Sequence, residues 1–116
     1  MTIITLEPIP NQSLTFQQDD HFYGITLKSV QDMMYATISV DNVVIVSGAR
    51  CVAGALIIPS QYQEAAGNFA IATNDDDNPD YTQFGNTQFL IYYSATELAV
   101  ARANFEIHAI SLNSYF

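Results

Sequence analysis

Alternation of apolar and polar residues, broken by short polar turns, is the dominant pattern along the chain. In the segment MMYATISV, the apolar residues Met34, Ala36, Ile38 and Val40 are each separated by one residue and would share one face. A period of two is typical of a β-strand with one buried face. The same kind of pattern predicts strands at 14–18, 22–30, 33–40 and 43–48.

Two-residue connections separate the last three of these strands. Gln31-Asp32 lies between the second and the third, and Asp41-Asn42 lies between the third and the fourth. Connections this short join antiparallel neighbours, so we expect a meander. Segments 68–73 and 87–93 predict a further pair of strands, which a long excursion connects.

Helical signals are weak by comparison. Segment 55–67 predicts at most one or two helical turns, with Ser60 as a candidate N-cap and Gly67 as a candidate C-cap. Segment 94–103 has a helical composition, whereas 104–112 alternates apolar and polar residues as a strand does.

The predicted fold class is mainly β: a small antiparallel β-barrel or sandwich with at most one short helix and an extended C-terminal tail. With 116 residues the chain has the length of one domain. We expect a β-domain at 1–94 and a C-terminal extension at 95–116 that contacts a partner.

Charge is sparse and strongly acidic. Charged residues make up 13% of the chain, the formal net charge is −9, and the only basic residues besides histidine are Lys28, Arg50 and Arg102. Phosphate contacts need clustered Lys and Arg, so we expect no binding to nucleic acid and none to anionic membranes. So few charges also indicate that partner subunits cover part of the surface.

Cys51 is the single cysteine, so the sequence predicts no internal disulfide and no cysteine-based zinc site. A lone cysteine between Arg50 and Val52 is more typical of a small core residue than of a nucleophile. The start MTIITLEPIPNQS has no basic stretch and no long apolar run, which favours an intracellular site of synthesis.

Four carboxylates within six positions suggest a calcium loop in the segment TNDDDNPDYTQFGNT, residues 73–87. A loop of the EF-hand type counted from Asp75 would need Gly at its sixth position and Glu at its twelfth, where this chain has Asp80 and Asn86. Pro79 also fixes the backbone inside the loop. We therefore expect a solvated turn, with a non-standard calcium site as the alternative.

Other candidate catalytic or metal-binding residues form no motif. Glu64, Glu97 and Glu106 are scattered along the second half, and His21 and His108 are the only histidines. Neither a nucleophile elbow nor a phosphate-binding loop is present in the sequence. The sequence predicts no enzyme, no cofactor and no bound metal.

Candidate contact residues are therefore an arginine and several aromatics. Arg50 is a rare cation at the end of a predicted strand, and we expect it to pair with a carboxylate within the fold or across a subunit boundary. Aromatic residues are enriched in protein interfaces, although β-domain cores contain many as well. The predicted interface residues are Arg50, Tyr81, Phe84, Tyr92, Tyr93, Tyr115 and Phe116.

Three segments carry a resemblance to a known family. These are EPIPNQSLTF near the start, VSGARCVAGALIIPSQY in the middle and GNFAIATNDDDNPDYTQFGNTQFLIYY later in the chain. Together they resemble the baseplate plug proteins of contractile-tailed bacteriophages over residues 6–93. The matching positions are Pro10-Asn11-Gln12, Gly48, Arg50, Tyr62, Gly67, Pro79, Phe84, Gly85 and Tyr92-Tyr93.

This resemblance implies a non-catalytic structural protein at the central tip of the phage tail. The implied partners are other baseplate proteins: the hub, the tail tube, the spike region, and wedge or sheath-initiating proteins. It also implies a ring of six or three copies, assembled in the host bacterial cytoplasm. Strand addition by residues 2–10 or by the C-terminal tail would be one mode of contact.

The alternative hypothesis is a free-standing β-domain that binds a carbohydrate or another small ligand. Tyr81, Tyr92 and Tyr93 would then form a stacking surface for that ligand.

Overall fold

Four consecutive strands build the larger of two antiparallel sheets. The computed structural model describes residues 1–60, 63–64, 66–74 and 77–102. The strands of the larger sheet lie in chain order, β2-β3-β4-β5. Their bounds are Asn11–Gln18 for β2, His21–Val30 for β3, Met33–Val40 for β4 and Val43–Arg50 for β5.

Each connection of this meander is a two-residue turn. Asp19-Asp20, Gln31-Asp32 and Asp41-Asn42 all have positive φ values, between 51° and 68°. Two successive left-handed residues make a turn whose twist matches that of the flanking strands, and Asp and Asn tolerate this conformation. The predicted meander is confirmed, and β2 extends further toward the N-terminus than the sequence pattern indicated.

The smaller sheet has the order β1-β7-β6. Its strands are β1 at Thr2–Ile4, β6 at Gly67–Ala72 and β7 at Phe89–Ser94. Gly67 therefore begins a strand, and the prediction that it caps a helix is wrong. A Cβ at this position would lie 2.2 Å from the carbonyl oxygen of Tyr93 and 2.5 Å from the ring of Tyr92, so the close pairing of β6 with β7 needs glycine.

One hydrophobic core lies between the two sheets. β3 and β4 contribute one face, in which Met34, Ala36, Ile38 and Val40 are all buried, as their spacing predicted. The smaller sheet contributes Phe69, Ile71, Leu90 and Tyr92. The fold is therefore a two-layer sandwich, and the predicted fold class is confirmed.

Residues 95–102 form a helix, α1, directly after β7. The Glu97 amide donates to Ser94 Oγ at 3.2 Å, and the Ser94 amide donates to Glu97 Oε1 at 3.1 Å. This reciprocal capping starts the helix just after Ser94. In the described part of the chain, no helix is long and apolar enough to span a membrane. The strand predicted at 104–112 lies outside the described residues.

Candidate interaction surfaces

Tyr92, one of the predicted contact residues, is a core residue. It is 1% exposed, and its ring centroid lies 5.2 Å from that of Phe69 and 5.5 Å from that of Tyr23. Its hydroxyl donates a hydrogen bond to Asp19 Oδ2 at 2.9 Å. Burial, reinforced by the contacts with Tyr23 and Asp19, raises the pKa of the Tyr92 phenol. The hydrogen bond from Tyr92 to Asp19 thus connects the smaller sheet to the β2–β3 turn.

The three tyrosines of the predicted stacking surface do not share one face. Tyr92 and Tyr93 are consecutive residues of β7, so their side chains point to opposite sides of the sheet. Tyr81 packs against the core from the connection before β7. The arrangement gives no support to ligand binding by these rings as a group.

Phe84 also belongs to the core, where it is 2% exposed. It follows the short 3-10 helix Tyr81–Gln83. Phe84 is one of the predicted interface residues, but the backbone turn at Gly85, with φ of 81°, directs the chain back against Leu6. Phe84 therefore fixes the connection to the sandwich and is not exposed for a partner.

The described part of the acidic segment is held by its own hydrogen bonds. Asp80 Oδ1 accepts from the amide of Thr82 at 3.0 Å and from its hydroxyl at 2.9 Å. The buried Gln88 side chain accepts from the Asp80 amide at 2.7 Å and donates to the carbonyl of Asn78 at 3.1 Å. Asp75 and Asp76 lie outside the described residues, and among the described ones no three His, Cys, Asp or Glu side chains are grouped to hold a metal.

Arg50 is exposed at the end of β5. It forms no ion pair with any carboxylate of the described residues, so the predicted partner within the fold is not found there. The guanidinium that does pair is that of Arg102, which binds Glu64 through both of its terminal nitrogens. Sequence reasoning missed this pair because the two residues are 38 positions apart and belong to no common motif.

Cys51 is a small core residue, as the sequence favoured, and His21 lies beside a turn. His21 Nδ1 lies 2.7 Å from Asp41 Oδ2 beside the β4–β5 turn. The pKa of Asp41 is lowered, first by the hydrogen bond from the Phe22 amide and then by His21. Cys51 is buried, and this burial raises the pKa of its thiol to about 12, so it is a poor nucleophile.

Several large apolar side chains lie in solvent at the strand ends. Val43 and Val44, at the start of β5, are 63% and 60% exposed. Val30 and Met33, which pair across the β3–β4 turn, are exposed as well. Pairs of exposed apolar residues on a chain with so little charge are typical of a surface that another protein covers.

A groove of about 470 Å³ lies beside α1. Its walls combine apolar side chains with the charged side chains of Glu97 and Arg102. The described lining residues are Gly54, Leu56, Tyr93, Glu97, Leu98, Ala101 and Arg102. Of the predicted interface residues, the structure thus places Arg50 on the surface, Tyr93 in this groove and Tyr81 partly in the core. Tyr115 and Phe116 lie outside the described residues.

Comparison with protein families gives a match over most of the chain. The model of the family described as cyanophage baseplate Pam3 plug gp18 matches residues 1–96, which include the seven described strands and the start of α1. No curated protein matches the chain at the significance required.

Proposed function

We propose that the chain binds hub and tail-tube proteins and further copies of itself at the central tail tip. It belongs to the cyanophage baseplate plug family. This membership assigns it a structural role in the phage tail baseplate. The observation that carries this proposal is the family match across both sheets of the sandwich. The chain acts in this role through its surfaces and performs no catalysis.

The exposed apolar residues of β5 support contact with a protein partner. Val43 and Val44 follow the Asp41-Asn42 turn and lie largely in solvent. Burying such side chains against another protein stabilises a complex in proportion to the apolar area removed from water. The same two residues would otherwise be an aggregation risk on a small soluble domain.

The acidic charge restricts the kind of partner. With a net charge of −9, the chain favours neighbours that present neutral or basic surfaces. Spike, wedge and sheath-initiating proteins are further candidate neighbours. We propose a ring of six or three copies, assembled in the host bacterial cytoplasm, without contact to nucleic acid or membrane.

Replacement of the two valines tests this proposal in a phage that lacks the gene. The variant Val43→Asp/Val44→Asp, supplied in trans, should keep its melting temperature within a few degrees but no longer enter tails, as measured by immunodetection in purified particles. The matched control Asn74→Asp/Asn86→Asp adds the same two charges at exposed positions and should enter tails normally. Wild-type protein that is absent from purified tails would contradict the proposed function itself.

A further inference from the structure

Three of the four outer sheet edges are short, covered or broken within the described residues. An open strand edge is a template for pairing with another chain, and most proteins protect such edges. β1 is only three residues long. The other three edges belong to β6, β5 and β2, and they differ in how well each is protected from pairing with another chain.

The edge of β6 is covered by the segment that precedes it. The Gly54 amide donates to the Ile71 carbonyl at 3.1 Å, and the Ile57 amide donates to the Phe69 carbonyl at 2.7 Å. The buried Asn68 side chain adds two bonds, because it accepts from the Ile58 amide and donates to the Ile58 carbonyl, each at 2.9 Å. No further strand can pair here without displacing that segment.

The edge of β5 is irregular. Its pairing with β4 shifts register twice, between Ala36 and Ile38 and again between Ile38 and Ser39. The carbonyl of Ile45 accepts a hydrogen bond at 3.3 Å from the side chain of Gln63. Bulges and side-chain caps of this kind prevent regular strand addition.

β2 has none of these protections. Its eight residues pair with β3 in one unbroken register and contain neither proline nor a charged residue. Within the described part of the chain, no backbone hydrogen bond reaches residues 11–18 from outside the β2–β3 ladder. β2 is therefore the one long, regular edge that the described residues leave open.

The register of the ladder identifies which backbone groups point outward. Ser29 donates to the carbonyl of Pro10 at 2.9 Å, so the pair Pro10–Ser29 is hydrogen-bonded. Because bonded and non-bonded pairs alternate in an antiparallel ladder, residues 12, 14, 16 and 18 bond to β3. The amides and carbonyls that point away from β3 are those of Asn11, Ser13, Thr15 and Gln17, whose side chains are all exposed and uncharged.

We propose that this edge binds residues 104–112 of a neighbouring copy as an added strand. That segment, NFEIHAISL, has the alternation of a strand and is about as long as β2. The N-terminal segment is not available for this role, because Thr2–Ile4 already pairs with β7 of its own chain. Main-chain pairing supplies the affinity in such strand addition, and the alternate side chains supply the specificity.

The surroundings of Arg102 favour a neighbouring copy as the donor. Only Ala103 separates Arg102 from the proposed strand, so that strand begins within about 7 Å of the Arg102 Cα. Among the described residues, those around Arg102 are Glu64 and the walls of the groove, and none of these belongs to β2 or β3. When each copy donates a strand from one side of the domain and accepts a strand at β2 on another side, the contact between copies is head-to-tail. Such contacts close into a ring when the rotation from one copy to the next permits.

This inference rests on the proposed function only for the ring, since the pairing itself is measurable in the isolated full-length protein. Hydrogen exchange followed by NMR reports on the amides of Ser13, Thr15 and Gln17. We expect these three amides to be protected at high protein concentration and to lose protection on dilution. Exchange as fast as in an unstructured peptide at every concentration would overturn the proposal, and protection independent of concentration would show that the chain's own segment is bound instead.

Thr15→Pro removes one outward amide and leaves the β2–β3 ladder intact, because proline is tolerated where the missing N–H faces away from the partner strand. This variant should weaken self-association about tenfold or more in sedimentation equilibrium, since it deletes an inter-chain hydrogen bond and obstructs its neighbours. Thr15→Ala keeps the amide and should associate as the wild type does. Equal association of Thr15→Pro and Thr15→Ala would contradict pairing at β2.

The donor is tested by Ile107→Pro/His108→Pro, in which one of two consecutive prolines must replace an amide that faces β2 in any register. Its control is Ile107→Ala/His108→Ala. We expect the proline variant alone to remove protection at Ser13, Thr15 and Gln17. Unchanged protection in the proline variant would show that a different segment occupies the edge. Failure of either assay leaves the baseplate role untouched, because that role is measured in particles.

Discussion

Arg102 binds Glu64 through two parallel hydrogen bonds, from Nη1 to Oε1 at 3.0 Å and from Nη2 to Oε2 at 2.7 Å. Glu64 Oε2 also accepts from Asn68 Nδ2 at 2.5 Å, and the Glu64 side chain is only 9% exposed. The carboxylate thus joins the end of α1 to the connection before β6. A mostly buried carboxylate with three donors is a structural element that fixes where the chain leaves the sandwich.

Glu64→Gln keeps the size of the side chain. The glutamine amide has one acceptor oxygen and no charge, so it cannot accept both hydrogen bonds from the Arg102 guanidinium. We expect a lower melting temperature, measured by circular dichroism, because Arg102 and Asn68 lose their charged acceptor. Glu7→Gln is the control, since the Glu7 side chain is exposed and forms no ion pair with the described residues. An effect at Glu64 no larger than that at Glu7 would contradict the structural role of the Arg102 contact.

Tyr92→Phe removes the hydroxyl that donates to Asp19 and retains the ring in the core. The free energy of unfolding should fall by about 0.5–1.5 kcal/mol, the typical net contribution of one hydrogen bond. Tyr93→Phe, one position along β7, should change it less, because the side chain of Tyr93 is only half-buried. Urea denaturation of the two variants makes the comparison, and an equal loss would argue against the Tyr92–Asp19 link.

Phe84→Ala should destabilise the isolated domain by about 3–5 kcal/mol, the usual cost of deleting a buried aromatic ring. The loss reflects a cavity beneath the connection between β6 and β7. Tyr81→Ala should cost less, because Tyr81 is only partly buried. Calorimetry of both variants would detect the difference, and an unchanged melting temperature for Phe84→Ala would exclude its place in the core.

The folded state should lose stability as the pH falls below the ordinary pKa range of carboxyl groups. The pKa of Asp41 is depressed from 3.8 by the Phe22 amide and His21, and the pKa of Glu97 is depressed by the N-terminal amine and the Ser94 amide. A carboxylate with a depressed folded-state pKa contributes stability that is present above its unfolded pKa and is lost as the pH falls through the folded pKa. Melting temperatures of wild type and Asp41→Asn between pH 7 and pH 2 should therefore converge at the acidic end, and parallel curves would contradict a role for Asp41.

The meander was predictable from sequence because its determinants are local. Alternation in 33–40 and the pairs Gln31-Asp32 and Asp41-Asn42 specify strand, turn and register within a few residues of one another. The capped start of α1 is equally local, since Ser94 and Glu97 are three positions apart. Pattern and structure agree wherever the interacting residues are close in sequence.

The positions of the aromatic and charged side chains in the fold could not be predicted from such local patterns. Phe84 and Tyr92 have the same chemistry in a core as in an interface, and only long-range packing decides between the two. Pairing of Glu64 with Arg102 depends on how α1 returns past the start of β6. The openness of β2 likewise depends on what the rest of the chain covers, which no pattern within 11–18 reveals.

We expect this sandwich to be part of the tip of the phage tail. A cryo-EM reconstruction of intact tails should show the two-sheet sandwich as density in the central baseplate, in contact with hub or tail-tube proteins and repeated around the tail axis. If other proteins filled the whole tail tip and this chain were absent from the particle, the proposed baseplate role would be wrong.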